Sequence, residues 1–193
     1  MTKSGIILAA GNGSRFGREK QFINFRGKPL WKWSYDTAKK VLDEVVVIGV
    51  DCHGGRTRSE SIDIGLKKIS GKVVVILDAA RPLVTEKQIK IIAEAGWKYD
   101  SATFYIPLRD TTYKTKGCEY YRDGCVALQV PQAFHTKILR IAREEIKNKD
   151  SHDDTILMKQ ALGIKPKLIL GGPNLYKITF KEDLKIIEAL CEY

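Results

Sequence analysis

The chain has 193 residues, of which 44% are hydrophobic and 29% charged, the composition of a soluble globular protein with ample length for one hydrophobic core. Its 33 Lys and Arg against 23 Asp and Glu leave a net charge of +10, which favours anionic partners; no Arg-rich or aromatic-interleaved basic stripe points to nucleic acid, and no apolar run approaches the ~20 residues of a membrane span. Four scattered cysteines without a C-x-x-C pair and three histidines without ligand spacing indicate neither a disulfide framework nor zinc.

Met1–Gly5 runs straight into an apolar stretch, which leaves no room for a cleavable signal and makes a cytoplasmic protein the expectation. Ile6-Ile7-Leu8 reads as a buried strand. It breaks into the small residues Ala9-Ala10-Gly11-Asn12-Gly13-Ser14, followed by the cations Arg15 and Lys20. A strand, a loop whose backbone can approach a ligand closely, and fixed positive charge together suit a polyphosphate. An ordinary turn between strand and helix is the competing reading of that loop. It is neither a P-loop, since Gly-Lys-Ser/Thr is absent, nor a dinucleotide fingerprint, since no third glycine falls in place.

An extended piece and turn at 21–30 lead to a helix from near Pro29 to about Val41. Glu44–Val50 is a second strand, Gly54-Gly55 a turn, and Arg56–Ile69 opens and carries a helix. Lys72–Leu77 is a third strand ending in Asp78-Ala79-Ala80-Arg81-Pro82. A helix capped by Thr85 runs to about Glu94, and Ser101–Ile106 is a fourth strand. Continuous β-branched runs alternating with helices predict an α/β fold with a mostly parallel sheet covered on both faces. Ligands in such sheets sit at the carboxyl ends of the strands, where the first loop, the Gly54-Gly55 turn and the segment from Asp78 all fall. From about 107 to 130 the pattern changes to short β-prone pieces, Thr111–Thr115 and Tyr120-Tyr121, which read as a β-arm leaving the sheet. Helix from about Thr136 to Lys147, a polar loop at 149–154, a short helix, a strand at Lys167–Leu170 and a closing helix at Lys181–Cys191 complete one domain over 1–193.

The ordered motifs LAAGNGSRFGREKQ, GGRTRSESIDIGL, DAARP, PLRDT, VPQAF, HDD and NLYKITFKEDL resemble the 2-C-methyl-D-erythritol 4-phosphate cytidylyltransferases, and also their relatives acting on ribitol phosphate, over nearly the whole chain. The resemblance implies a single-domain Rossmann-like nucleotidyltransferase that converts CTP and a polyol phosphate, methylerythritol 4-phosphate foremost, to a CDP-polyol and pyrophosphate. It implies Arg15 and Lys20 at the α-phosphate, and Thr111, Arg122 and Lys177 at the acceptor phosphate. Ala9, Ala10, Gly11, Gly13, Gly55 and Ser61 would lie along the nucleotide. Asp78 would lie near the triphosphate and its Mg²⁺. In the family the arm embraces a second subunit, which implies a homodimer with Thr111 and Arg122 acting in the partner's site. Asp78 as a helix cap and Lys177 as a surface cation are the plainer alternatives. Arg81 reads as an ion-pair residue bracing the loops, His53 as a loop histidine, and Asp153-Asp154 as a helix N-terminal pair outside the site. The chain departs from the family at Leu77 and Val130, has a shortened arm, and lacks the helix and strand that relatives carry before Gly54-Gly55. Another polyol-phosphate cytidylyltransferase, or a nucleotide-binding protein with weakened catalysis, remain the alternatives.

Overall fold

β1 (Lys3–Leu8) is the strand beside which the sheet is laid. The computed structural model describes residues 1–116, 119–121, 123–146 and 153–191. Two short strands, β2 (Asn24–Phe25) and β3 (Lys28–Pro29), form a small hairpin that feeds α1 (Leu30–Lys39). Then come β4 (Glu44–Ile48), α2 (Arg58–Leu66), β5 (Val73–Asp78), α3 (Glu86–Tyr99) and β6 (Ser101–Pro107). The arm carries β7 (Thr112–Lys114) and β8 (Glu119–Tyr121). β9 (Val126–His135), α4 (Thr136–Glu145), α5 (Asp154–Leu162), β10 (Lys167–Leu170) and α6 (Asp183–Leu190) follow. The main sheet runs β10-β6-β9-β5-β1-β4. All its neighbours are parallel except β9, which is antiparallel to both β5 and β6.

Alternation along the strands feeds two cores. Ile7, Val73, Val75 and Leu77 pack on the face covered by α1 and α3, with Ile89 and Ile92. Ile6, Val74 and Ile76 pack on the other face with Ile62, Leu139, Leu157 and Met158 of α2, α4 and α5. Side chains two apart share a face and neighbours oppose, so one apolar run fills both layers. A third cluster of Phe16, Ile23, Phe25, Leu30, Ile178 and Ile187 lies under the first loop and α6.

Two elements differ from the expectation. Val126–Val130 belongs to β9 and not to the arm: it pairs with β6 as far as Pro107↔Val126, so the excursion is confined to the residues between those two. α3 does not stop near Glu94 but runs through Gly96 to Tyr99. The helix at Gly96 lies so close to β9 that a Cβ would come 2.7 Å from Ala133, and Trp97 stacks on His135 at 5.0 Å. β4 passes into α2 with no helix or strand between them, as the short link before Gly54-Gly55 implied, and it is the edge of the sheet. Its exposed ladder is partly covered by the following turn, where the Asp51 carboxylate accepts the Val47 N–H at 2.7 Å.

Candidate nucleotide-binding cleft

A cleft of about 400 Å³ opens at the carboxyl ends of β1, β4 and β5. Its first wall is the loop after β1. The Ala9 N–H donates to the Ile48 carbonyl (2.8 Å) and the Ala79 N–H to Leu8 (3.1 Å), so the loop leaves from between two fixed strands. Gly13 has φ +65 and no room for a Cβ, which would meet the Arg18 carbonyl at 1.8 Å. The Phe16 and Gly17 N–H groups both donate to the Gly13 carbonyl (2.9 and 2.8 Å). The Phe16 side chain is 2% exposed in the third core cluster and anchors this turn. Between the two anchors, Ala10, Gly11, Asn12, Ser14 and Arg15 face the cleft. Gln21 holds the loop from behind by donating to the Gly11 carbonyl (3.0 Å).

The second wall is the entry to α2. Thr57 caps this helix by accepting the Glu60 N–H (3.1 Å). Gly55 approaches so closely that a Cβ would meet the Glu60 Cβ at 2.3 Å. The Gly55 N–H donates to Ser61 Oγ (3.1 Å), and that hydroxyl donates to the Thr57 carbonyl (3.0 Å). Ser61 therefore lines the cleft with its hydroxyl already spent on bracing Gly55.

The third wall is charged. Lys177 Nζ lies 2.7 Å from Asp78 Oδ2, and the Ala80 N–H donates to Asp78 Oδ1 (3.0 Å). Burial raises the Asp78 carboxyl, but Lys177, Arg81 and the Ala80 N–H outweigh it and hold it at about 2. Asp78 does not cap α3, because Thr85 does so in a capping box with Gln88. Nor is Lys177 an isolated surface cation. The Ile178 N–H donates to the Ala80 carbonyl (2.9 Å), which lays Lys177 alongside Asp78. Arg81 donates to the Leu175 carbonyl and braces the same junction, while its charge acts on the Asp78 carboxylate, the loop-bracing role expected of it. Lys20 faces the cleft too. Burial pushes its pKa down and Asp78 pulls it back up, while Lys177 and Arg15 push it down further. With Arg56 and Arg58 of the second wall, Arg15, Lys20 and Lys177 make five cations lining one cavity, an arrangement that favours a bound polyanion.

Ala9, Ala10, Gly11, Gly13, Arg15, Lys20, Gly55, Ser61, Asp78 and Lys177 all line this cleft. Thr111 does not: it is exposed, at the entry to the arm hairpin. Arg122 lies outside the described residues. His53 is exposed and lines nothing here. Asp153 caps α5 through the Thr155 N–H (2.8 Å) and accepts from Gln132 Nε2 (2.7 Å). Asp154 is different. It is 2% exposed and pairs with Arg58 and Arg143. Arg58 lines the cleft and is absent from the sequence-derived site, although its place three residues after Gly55 was a signal. Arg56 lines it too and is likewise absent from that site. Asp183, outside the lining, accepts the Thr179 and Phe180 N–H groups (2.6 and 2.8 Å) and the Tyr176 hydroxyl (3.0 Å), fixing the segment that carries Lys177.

Among the cleft-lining residues Asp78 is the one carboxylate. That donor set suits a hard cation that takes most of its ligands from phosphate oxygens and water, with a single protein oxygen.

Residues 4–192 match the family model for 2-C-methyl-D-erythritol 4-phosphate cytidylyltransferase. The protein of that name from Thermus thermophilus is 32% identical over 209 aligned residues, covering 99% of this chain and 98% of the relative. The one from Deinococcus radiodurans is 33% identical, covering 96% and 88%. The crystal structure of the Thermus protein superposes with a TM-score of 0.85 at 30% identity, with both chains fully covered.

Proposed function

The chain belongs to the 2-C-methyl-D-erythritol 4-phosphate cytidylyltransferase family, and from that premise we propose that it transfers CMP from CTP to 2-C-methyl-D-erythritol 4-phosphate, releasing pyrophosphate, in isoprenoid precursor synthesis. The observation that carries this reading is the convergence of the β1 loop, Arg15, Lys20 and Lys177 on one cleft at the ends of parallel strands. A phosphate oxygen of the acceptor attacks the α-phosphorus in line. The new P–O bond forms as the bond to the β-phosphate oxygen breaks, and that electron pair leaves with pyrophosphate. Negative charge grows on the α-phosphoryl oxygens in the transition state. Arg15 and Lys20, held on either side of the Phe16 anchor, meet it there. Lys177 takes the acceptor phosphate, and Asp78 keeps the Lys177 ammonium pointing into the cleft until the acceptor arrives. Mg²⁺ carried by the triphosphate would add charge neutralisation, with Asp78 as its protein oxygen.

Homodimerisation belongs to the same proposal. The arm hairpin exposes Tyr113 and Tyr120 (46% and 73%), and a two-stranded ribbon is marginal in water by itself. A second subunit would cover these rings and bring Thr111 and Arg122 to the partner's acceptor site. A reaction fed by CTP belongs in the cytoplasm; among the described residues no helix is long and apolar enough to cross a membrane. The test is pyrophosphate release with each nucleoside triphosphate crossed against a panel of polyol phosphates. CTP with methylerythritol 4-phosphate should give the highest kcat/KM. A higher value with ribitol 5-phosphate would reassign the acceptor, and no turnover with any pair would make this a nucleotide-binding protein.

A further inference from the structure

Beneath the second wall of the cleft lies a charged network that takes no part in the chemistry above. Arg143 of α4 is 2% exposed and lines no part of the cleft, yet each of its three nitrogens donates. Nε reaches Asp63 Oδ1 (2.7 Å), Nη1 reaches Asp154 Oδ1 (2.6 Å), and Nη2 reaches the Ser59 carbonyl (2.7 Å) and hydroxyl (2.8 Å). Two of these partners, Ser59 and Asp63, belong to α2; the third, Asp154, opens α5. The second oxygen of Asp154 accepts Arg58 Nη1 at 2.7 Å. Asp154 is therefore shared between an arginine out of water and an arginine on the cleft wall.

Pairing charges away from water is a poor route to stability, because desolvation consumes most of the Coulombic gain. A planar fork does provide direction. Arg143 holds both the start of α2 and the Asp154 carboxylate, and these two grips determine where the Arg58 guanidinium can lie. Among the described residues Asp154 is the one hydrogen-bond partner of that guanidinium, so its remaining N–H groups are available to a ligand. The anionic groups that a nucleoside triphosphate offers a guanidinium are its phosphates.

We propose that Arg58 binds phosphate oxygens of the nucleotide and that Arg143 is a positioning residue, acting through Asp154 to hold Arg58 in the orientation that does so. This rests on the nucleotide reading of the cleft. The test titrates CTP, and separately inorganic tripolyphosphate, into the wild type, Arg58→Lys, Arg143→Lys and the double variant, with turnover measured alongside. Lysine keeps each charge and removes the fork. Each single variant should weaken both ligands about tenfold, the value of a lost hydrogen bond to a charged group. KM for CTP should rise while kcat stays within about twofold, and the double variant should be no weaker than the worse single one. Wild-type affinity in Arg143→Lys, or losses that multiply in the double variant, would overturn the proposal while leaving the nucleotide reading intact. A wild type that binds neither ligand would instead overturn the nucleotide reading and the proposal with it. Should Arg143→Lys fail to fold, Asp154→Asn carries the test: its carbonyl still accepts from Arg143 while its amide turns toward Arg58. A tenfold loss for both ligands is then expected, and wild-type binding overturns the proposal.

Discussion

Asp183→Asn should destabilise the protein at neutral pH and hardly at all in acid. The Asp183 carboxylate is 7% exposed and accepts two backbone N–H groups and one hydroxyl. Burial raises its pKa, but the Phe180 and Thr179 N–H groups, the Tyr176 hydroxyl and the nearby Lys20 charge outweigh burial and leave it lowered. Asparagine keeps the size and one acceptor oxygen, which can serve the two backbone N–H groups as neutral bonds, while its NH2 cannot accept the Tyr176 hydroxyl, so the loss is the charge-assisted part of two hydrogen bonds and the third bond itself. A neutral bond contributes about 1 kcal/mol net and a charged one about twice that, so the variant should lose about 2–3 kcal/mol at neutral pH. For a chain of this length that corresponds to roughly 5–10 °C in Tm. The folded pKa lies below the unfolded one, so the stabilisation is complete above the ordinary carboxylate range and is lost as pH falls through the folded value. Thermal unfolding of both proteins from about pH 7 down to about pH 3 should therefore show a gap that closes at the acid end. Tm curves that stay parallel, or diverge in acid, would refute the reasoning. The same segment carries Lys177, so KM for the acceptor should rise more than KM for CTP.

Phe16→Ala should cost about 3–5 kcal/mol, since it empties the anchor of the first loop; chemical denaturation measures it, and a loss below about 1 kcal/mol would mean the loop is held otherwise. Pyrophosphate release should stop in excess EDTA and return with Mg²⁺; undiminished turnover would remove the ion from the account. Mixing inactive Arg122→Ala with inactive Lys20→Ala subunits should restore activity toward half the wild-type value per mixed dimer, because one site then keeps both residues. No recovery despite proven exchange, or a monomer by light scattering, would contradict action in trans.

Local signals carried most of the cleft. The apolar run Ile6-Ile7-Leu8 followed by small residues placed the first loop, and the ordered motifs brought Lys20, Asp78 and Lys177 together though they lie far apart in the chain. What escaped depended on contacts with no local signature. Arg143 meets Ser59 across 84 positions, and Asp154 meets Arg58 across 96, with nothing in their neighbourhoods to mark either as paired. Val126–Val130 carries strand-forming residues beside a polar arm, and only pairing with β6 assigns it to the sheet. The extension of α3 past Glu94 rests on Gly96, whose missing side chain leaves the space that Ala133 of β9 occupies.

The central claim is that the charged cleft at the end of β1 is where the α-phosphate reacts. Steady-state kinetics of Lys20→Ala tests it most directly. In the proposed reaction Lys20 meets charge that develops only in the transition state, an interaction worth on the order of 3–4 kcal/mol, so kcat should fall by about 10²–10³ while KM for CTP moves little. A variant with wild-type kcat and only a raised KM would contradict the claim.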